Sequence, residues 1–111
     1  MVSFTKIAVA IGMLIAPTLA HKGDMTYYTP GLGSCGWTNS ATDMVVAMSA
    51  AQKGHCGKSI NIKYMGKSAT AKIVDYCPGC PGDSIDVSQV VFEKFANMDV
   101  GRIAVEWEYV N

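Results

Sequence analysis

Charge is scarce in this chain: nine basic and nine acidic side chains among 111 residues, 16% of the total, with no formal net charge. A nucleic-acid binder needs a basic face to neutralise phosphates, and a balanced chain with a sequence pI of 6.7 offers none. Linkers, internal repeats and low-complexity stretches are missing as well, and the length leaves room for one domain. Half of the residues are apolar, which excludes disorder. No apolar run reaches the about 20 residues that a helix needs to cross a bilayer.

The one extended apolar run lies at the start. Lys6 precedes Ile7–Ala20, which contains Pro17 and closes on the small residues Thr18 and Ala20. That basic, apolar, small-residue order is the pattern of a secretory signal peptide. Residues 1–20 are therefore expected to be a leader, leaving His21–Asn111 as a secreted, extracellular, monomeric domain with no membrane contact.

Four cysteines remain, Cys35, Cys56, Cys77 and Cys80. An even number in a short secreted chain reads as two disulfides, for which three pairings exist. Zinc is the rival, because Cys77-Pro78-Gly79-Cys80 has knuckle spacing, but Cys35 and Cys56 supply no second close pair. A thioredoxin-like redox motif lacks its context of a strand opening into a helix.

Short strands separated by glycine punctuation account for the rest. Asp24–Thr29, Met44–Met48, Ser59–Tyr64, Ser68–Val74 and Ser84–Val87 read as strands, with Met65-Gly66 as a hairpin turn and residues 75–83 as a loop. Ser88 is placed to cap a single helix, about 88–97, in which Val91 and Phe95 share a face. In Gly101–Val110, Ile103, Val105, Trp107 and Tyr109 alternate with polar residues, a period-two strand that assigns Trp107 to the core. Tyr28 also reads as core by this criterion, and Trp37 sits in a glycine turn beside Cys35. The pattern is mainly β: a small closed barrel with one short helix.

Six short motifs stand in register along the chain: Thr26-Tyr27-Tyr28, Gly33-Ser34-Cys35-Gly36, Cys56-Gly57-Lys58, Val74-Asp75-Tyr76-Cys77-Pro78-Gly79-Cys80, Ile85-Asp86-Val87-Ser88 and Gly101-Arg102-Ile103. Together they resemble the single-domain double-psi β-barrel proteins of the RlpA-like and expansin-like group, above all the small fungal loosenins. The resemblance implies a six-stranded double-psi β-barrel with a shallow groove, and pairing of Cys35 with Cys56 and of Cys77 with Cys80. It also implies that Thr26, Tyr28, Asp75, Tyr76 and Asp86 line a polysaccharide groove.

Asp75 and Asp86 both stand at strand ends, and the plain structural alternative is that they bond loop amides or cap the helix. Inverting hydrolysis needs an acid and a carboxylate base about 6.5–9.5 Å apart. Asp86 matches the general acid of related endoglucanases, but Pro30 occupies the position that matches their base. Unless Asp24 or Asp75 substitutes, the expected activity is non-lytic: Asp86 as an acid-like group, aided by Asp75, competes for hydrogen bonds in cellulose, chitin or matrix glucan. That reading calls for no cofactor and no metal. Two further readings stand beside it. Similar small secreted barrels inhibit cysteine proteases, with residues 31–36 or 76–82 as the wedge. Cleavage after Ala20 would make His21 N-terminal, and with His55 it would offer copper a brace-like ligand set.

Overall fold

The structure is a computed structural model that describes residues 20–110; apart from Ala20 the expected leader lies outside the described residues. Six strands form: β1 His21–Tyr28, β2 Val45–Ser49, β3 Ser59–Tyr64, β4 Lys67–Cys77, β5 Ile85–Ser88 and β6 Ile103–Tyr109. They close into a barrel in the order β1-β5-β2-β4-β3-β6. Two pairs run parallel, β1 with β5 and β2 with β4, and the other four neighbours are antiparallel. The chain must cross itself to make those parallel pairs. As a result the short strands β2 and β5, distant in sequence, lie side by side.

Alternation fills the interior. Met25, Val46, Met48, Ile60, Ile62, Ile73, Ile85, Val87, Val105 and Trp107 form one buried cluster, closed on one side by Val91, Phe92 and Phe95. Trp107 is 1% exposed, as its alternation requires. Met65 and Gly66 both have positive φ, 46° and 82°. That is the backbone of a tight hairpin turn whose twist matches its strands, and it fixes the Tyr64–Lys67 register.

Most strand ends shift by one or two residues from the sequence reading, and three boundaries differ by more. Helix α1 covers Gln89–Glu93 and not 88–97, and the chain then enters a 3₁₀ turn at Met98–Val100 capped by the Asn97 side chain. Ser88 does not cap α1; its hydroxyl donates to the Asp43 carbonyl at 2.6 Å and ties β5 to the approach to β2. Strand β4 continues through Cys77, so residues 75–77 belong to a strand and not to the expected loop. Parallel pairing with β2 as far as Ser49↔Cys77 sustains it until Pro78, which has no amide to offer. Strand β1 starts at His21 because β6 reaches back to pair Trp107 with it.

Around the start of β1 and the end of β6, aromatic rings layer. His21 stacks on Trp107 at 4.1 Å and His55 on Tyr109 at 4.4 Å. Trp107 Nε1 donates to the Asp83 carbonyl, Tyr109 donates to Gln52 Oε1, and Gln52 Nε2 donates to the Asp83 carboxylate. His21 Nδ1 lies 3.4 Å from that same carboxylate.

Candidate functional site

The two acids meet because one residue is out of step. Along β2 and β4 the register pairs Val46 with Ile73 and then Ala47 with Asp75, so Val74 is an extra residue, a β-bulge. Without it, Asp75 would oppose Met48 and point into the core. A one-residue slip reverses the face of every later side chain. The bulge turns Asp75 outward and Tyr76 inward against Met48.

Ala47 also pairs with Asp86 on β5, and Asp86 pairs with Thr26 on β1. Asp75, Ala47, Asp86 and Thr26 therefore form one row across four adjacent strands, β4-β2-β5-β1, on the outer face. The acids are two strand spacings apart, roughly 10 Å between Cα atoms. Ala47, 3% exposed, is the floor between them.

Each polar member of the row has its own setting. Thr26 Oγ1 donates to Asp86 Oδ1 at 2.9 Å. Burial pushes the Asp86 carboxyl above the usual range, opposed by the Thr26 hydrogen bond and the Arg102 charge. Asp86 is thus an acid that holds its proton to higher pH than an exposed aspartate. Asp75 Oδ1 accepts from the Ser34 amide, the Ser34 hydroxyl and the Tyr76 amide at 2.8–2.9 Å, and Oδ2 has no partner among the described residues. Burial, followed by the charges of Asp75 and Asp86, pushes the Tyr28 phenol up to about 12. Tyr28 follows Thr26 on the same face of β1 and stays a hydrogen-bond donor at any physiological pH.

The loop 31–39 walls the Asp75 end. Gly33 packs so closely on β4 that a Cβ would lie 2.2 Å from the Val74 carbonyl oxygen, which only glycine permits. Cys35 N–H donates to that same carbonyl, and the Cys35–Cys56 disulfide fastens the loop to the approach to β3. The second disulfide, Cys77–Cys80, stands beside the other acid: its sulfurs and an Asp86 carboxylate oxygen lie within 4.8 Å of one another. Both sulfurs are consumed in that bond, so the trio is not a thiolate metal site. Among the described residues no other such trio forms, and neither His21 nor His55 belongs to this one.

Of the expected site residues, Thr26, Tyr28, Asp75 and Asp86 come together. Tyr76 does not join the row: it packs against the core, and its hydroxyl accepts from the His55 amide at 2.9 Å. Pro30 follows β1 as a buried residue, and Asp24 is tied to Arg102 at 3.1 Å. Ser34, Ala47 and Arg102 received no role from the sequence. Ser34 belongs to the Gly33-Ser34-Cys35-Gly36 motif, but its grip on Asp75 depends on a contact 41 residues away.

The double-psi β-barrel family model described as lytic transglycolase matches residues 20–107. The chain belongs to that family. An Asp f 7 allergen homolog of Arthroderma benhamiae is 35% identical to this double-psi β-barrel over 111 residues, 79% of this chain and 38% of the allergen. The chain thus spans little more than a third of that relative's length. A solved structure of the Streptomyces papain inhibitor superposes with a TM-score of 0.77 at 33% identity, covering 84% of this chain and 96% of the inhibitor. A mutant Clavibacter michiganensis expansin, solved in complex with cellohexaose, superposes with a TM-score of 0.77 over 84% of this chain and 51% of the expansin. At 21% identity that likeness is one of fold.

Proposed function

We propose that this barrel is a secreted, cofactor-free protein that binds a cell-wall polysaccharide chain across the row and loosens it without hydrolysis. The observation that carries the reading is the alignment of Asp75, Ala47, Asp86 and Thr26 on one outer face, with Asp86 half-buried and its carboxyl raised. The Tyr28 hydroxyl donates to sugar oxygens, while the Asp86 carboxyl group and Asp75 Oδ2 accept from sugar hydroxyls. Each such bond contributes about 0.5–1.5 kcal/mol net, so several acting together compete with the bonds between neighbouring glucan chains. Against hydrolysis stand Pro30 at the position of a water-activating base, the ion pair that holds Asp24, and the three donors on Asp75 Oδ1. The cellohexaose held by the expansin makes an unbranched β-linked glucan a fitting occupant.

The test is a pulldown on insoluble cellulose, chitin and xylan, comparing wild type with Asp86→Asn. A reducing-sugar assay and mass spectrometry of the supernatant accompany it. The expected result is binding by wild type, loss of binding in the variant, and no soluble product. Soluble product that disappears with Asp86→Asn would overturn the non-lytic reading.

One observation favours a second reading. The papain inhibitor is matched over 96% of its length, so its inhibitory surface sits on a barrel of this size. The rigid loop 31–39, with Leu32 74% exposed, would be the wedge against a cysteine protease. Papain inhibition by wild type that survives Asp86→Asn would support it.

A further inference from the structure

The loop that walls Asp75 also carries a tryptophan. On the far side of β4, the Gly57 amide donates to the Ile73 carbonyl at 2.9 Å. Trp37 lies directly on Gly57: its Cη2 is 3.3 Å from where a Cβ would stand. Lys72 holds its ammonium 4.1 Å from the centroid of the same ring. The loop that brings Trp37 there is the one whose Ser34 grips Asp75, so the ring and the acid are parts of one rigid body.

We infer that Trp37 is a stacking subsite for a pyranose ring, extending the groove past Asp75 so that long, unbranched polysaccharide chains are held better than short ones. This rests on the polysaccharide reading above and adds a platform to it. A sugar ring presents C–H groups to an aromatic face, and a tryptophan held in place loses little entropy when it binds. Here the holding is complete. Gly33 N–H donates to the Trp37 carbonyl, Gly36 N–H to the Gly33 carbonyl, and Asn39 N–H to the Gly31 carbonyl. The Cys35–Cys56 disulfide closes the loop's base. The ammonium of Lys72 stands over the ring, and Trp37 is 41% exposed, so part of the ring is open to a ligand.

Trp37 and Trp107 are the two tryptophans, and Trp107 is buried, so intrinsic fluorescence reads the subsite directly. The experiment titrates wild type, Trp37→Ala, Trp37→Tyr and Asp86→Asn with tri- and hexasaccharides of cellulose, chitin and xylan, followed by fluorescence and calorimetry. In wild type the hexamer of the preferred sugar should bind more tightly than its trimer and shift the tryptophan emission. Trp37→Ala should reduce hexamer affinity about tenfold and flatten the dependence on length. Trp37→Tyr, which keeps an aromatic face, should retain most of that dependence. Equal hexamer affinity in wild type and Trp37→Ala, with Asp86→Asn still losing binding, would overturn the subsite and leave the groove intact. Absence of oligosaccharide binding by wild type would overturn both. A Trp37→Ala variant that keeps sugar affinity and loses papain inhibition would assign the ring to a protein partner and overturn the subsite.

Discussion

Two parts of this barrel concentrate half-buried polar side chains, and they treat them in opposite ways. Around the start of β1 and the end of β6, partners are nearly complete: Trp107 to the Asp83 carbonyl, Tyr109 to Gln52, Gln52 to Asp83, His21 to Asp83, and both histidine rings stacked. Among the described residues, His55 Nδ1 is the one buried side-chain atom there without a hydrogen-bond partner. Across the row the accounting is left open. Asp86 has one protein donor, Asp75 Oδ2 has none, and the Tyr28 hydroxyl makes no hydrogen bond among the described residues. Groups satisfied internally hold the fold together; groups left short by the fold are those a ligand can complete.

The contrast predicts opposite signs for substitutions in the two regions. The largest effect belongs to the closed end. Trp107→Ala empties a fully buried site and strips the Asp83 carbonyl of its donor, costing about 3–5 kcal/mol. Chemical denaturation should register that loss, and polysaccharide binding per folded molecule should be unchanged. A variant of near-normal stability would break the comparison at its stronger side.

Next comes the staple of the wall. The Cys35–Cys56 bond closes a 21-residue separation, so replacing both cysteines by serine should lower stability by about 3 kcal/mol. Because the loop 31–39 carries Ser34, the loss should extend to binding, as measured by pulldown at a temperature where the variant remains folded. Binding that stays intact would separate the wall from the site.

Asp86→Asn should act with the opposite sign on stability. A carboxyl whose folded pKa is raised favours the folded state below the ordinary aspartate range, and that contribution is lost as pH rises through the folded value. Asparagine never ionises and still accepts from Thr26. The variant should therefore melt above wild type at pH 7 and level with it at pH 3, while losing polysaccharide binding. Equal melting temperatures at both pH values would mean that burial of Asp86 carries no penalty.

How much of this was legible beforehand follows from which contacts are local. Ser59–Tyr64 has the same bounds in the sequence pattern and in the structure, and the alternation of Ile103, Val105 and Trp107 fixed the inner face of β6. The disulfide pairing came through the resemblance and not through spacing, and the bonds are Cys35–Cys56 and Cys77–Cys80. The bulge at Val74 left no mark, because a single extra residue in Ile73-Val74-Asp75-Tyr76 reads the same whether it is paired or not. It decides that Asp75 faces out and Tyr76 faces in, so the orientation of Tyr76 could not be deduced from alternation. Ala47 was equally hidden: inside an apolar run it looks like core, and only its pairing with both acids makes it a floor.

The smallest predicted effect separates the two roles open to Asp86, hydrogen-bond donor and hydrogen-bond acceptor. Arg102 bonds Asp24 across an exposed pair, and its charge lowers the Asp86 carboxyl pKa against the rise from burial. Arg102→Gln should change stability by no more than about 1 kcal/mol, as exposed pairs do. It should move the Asp86 titration, followed by carboxyl-carbon NMR, to higher pH. If a protonated Asp86 donates to sugar, the alkaline limb of polysaccharide binding moves upward by the same amount, because the proton persists further. If the carboxylate accepts from sugar, binding on the acidic side weakens, because the charged form arrives later. A titration that does not move would remove Arg102 from the site and leave Thr26 as the partner that holds Asp86.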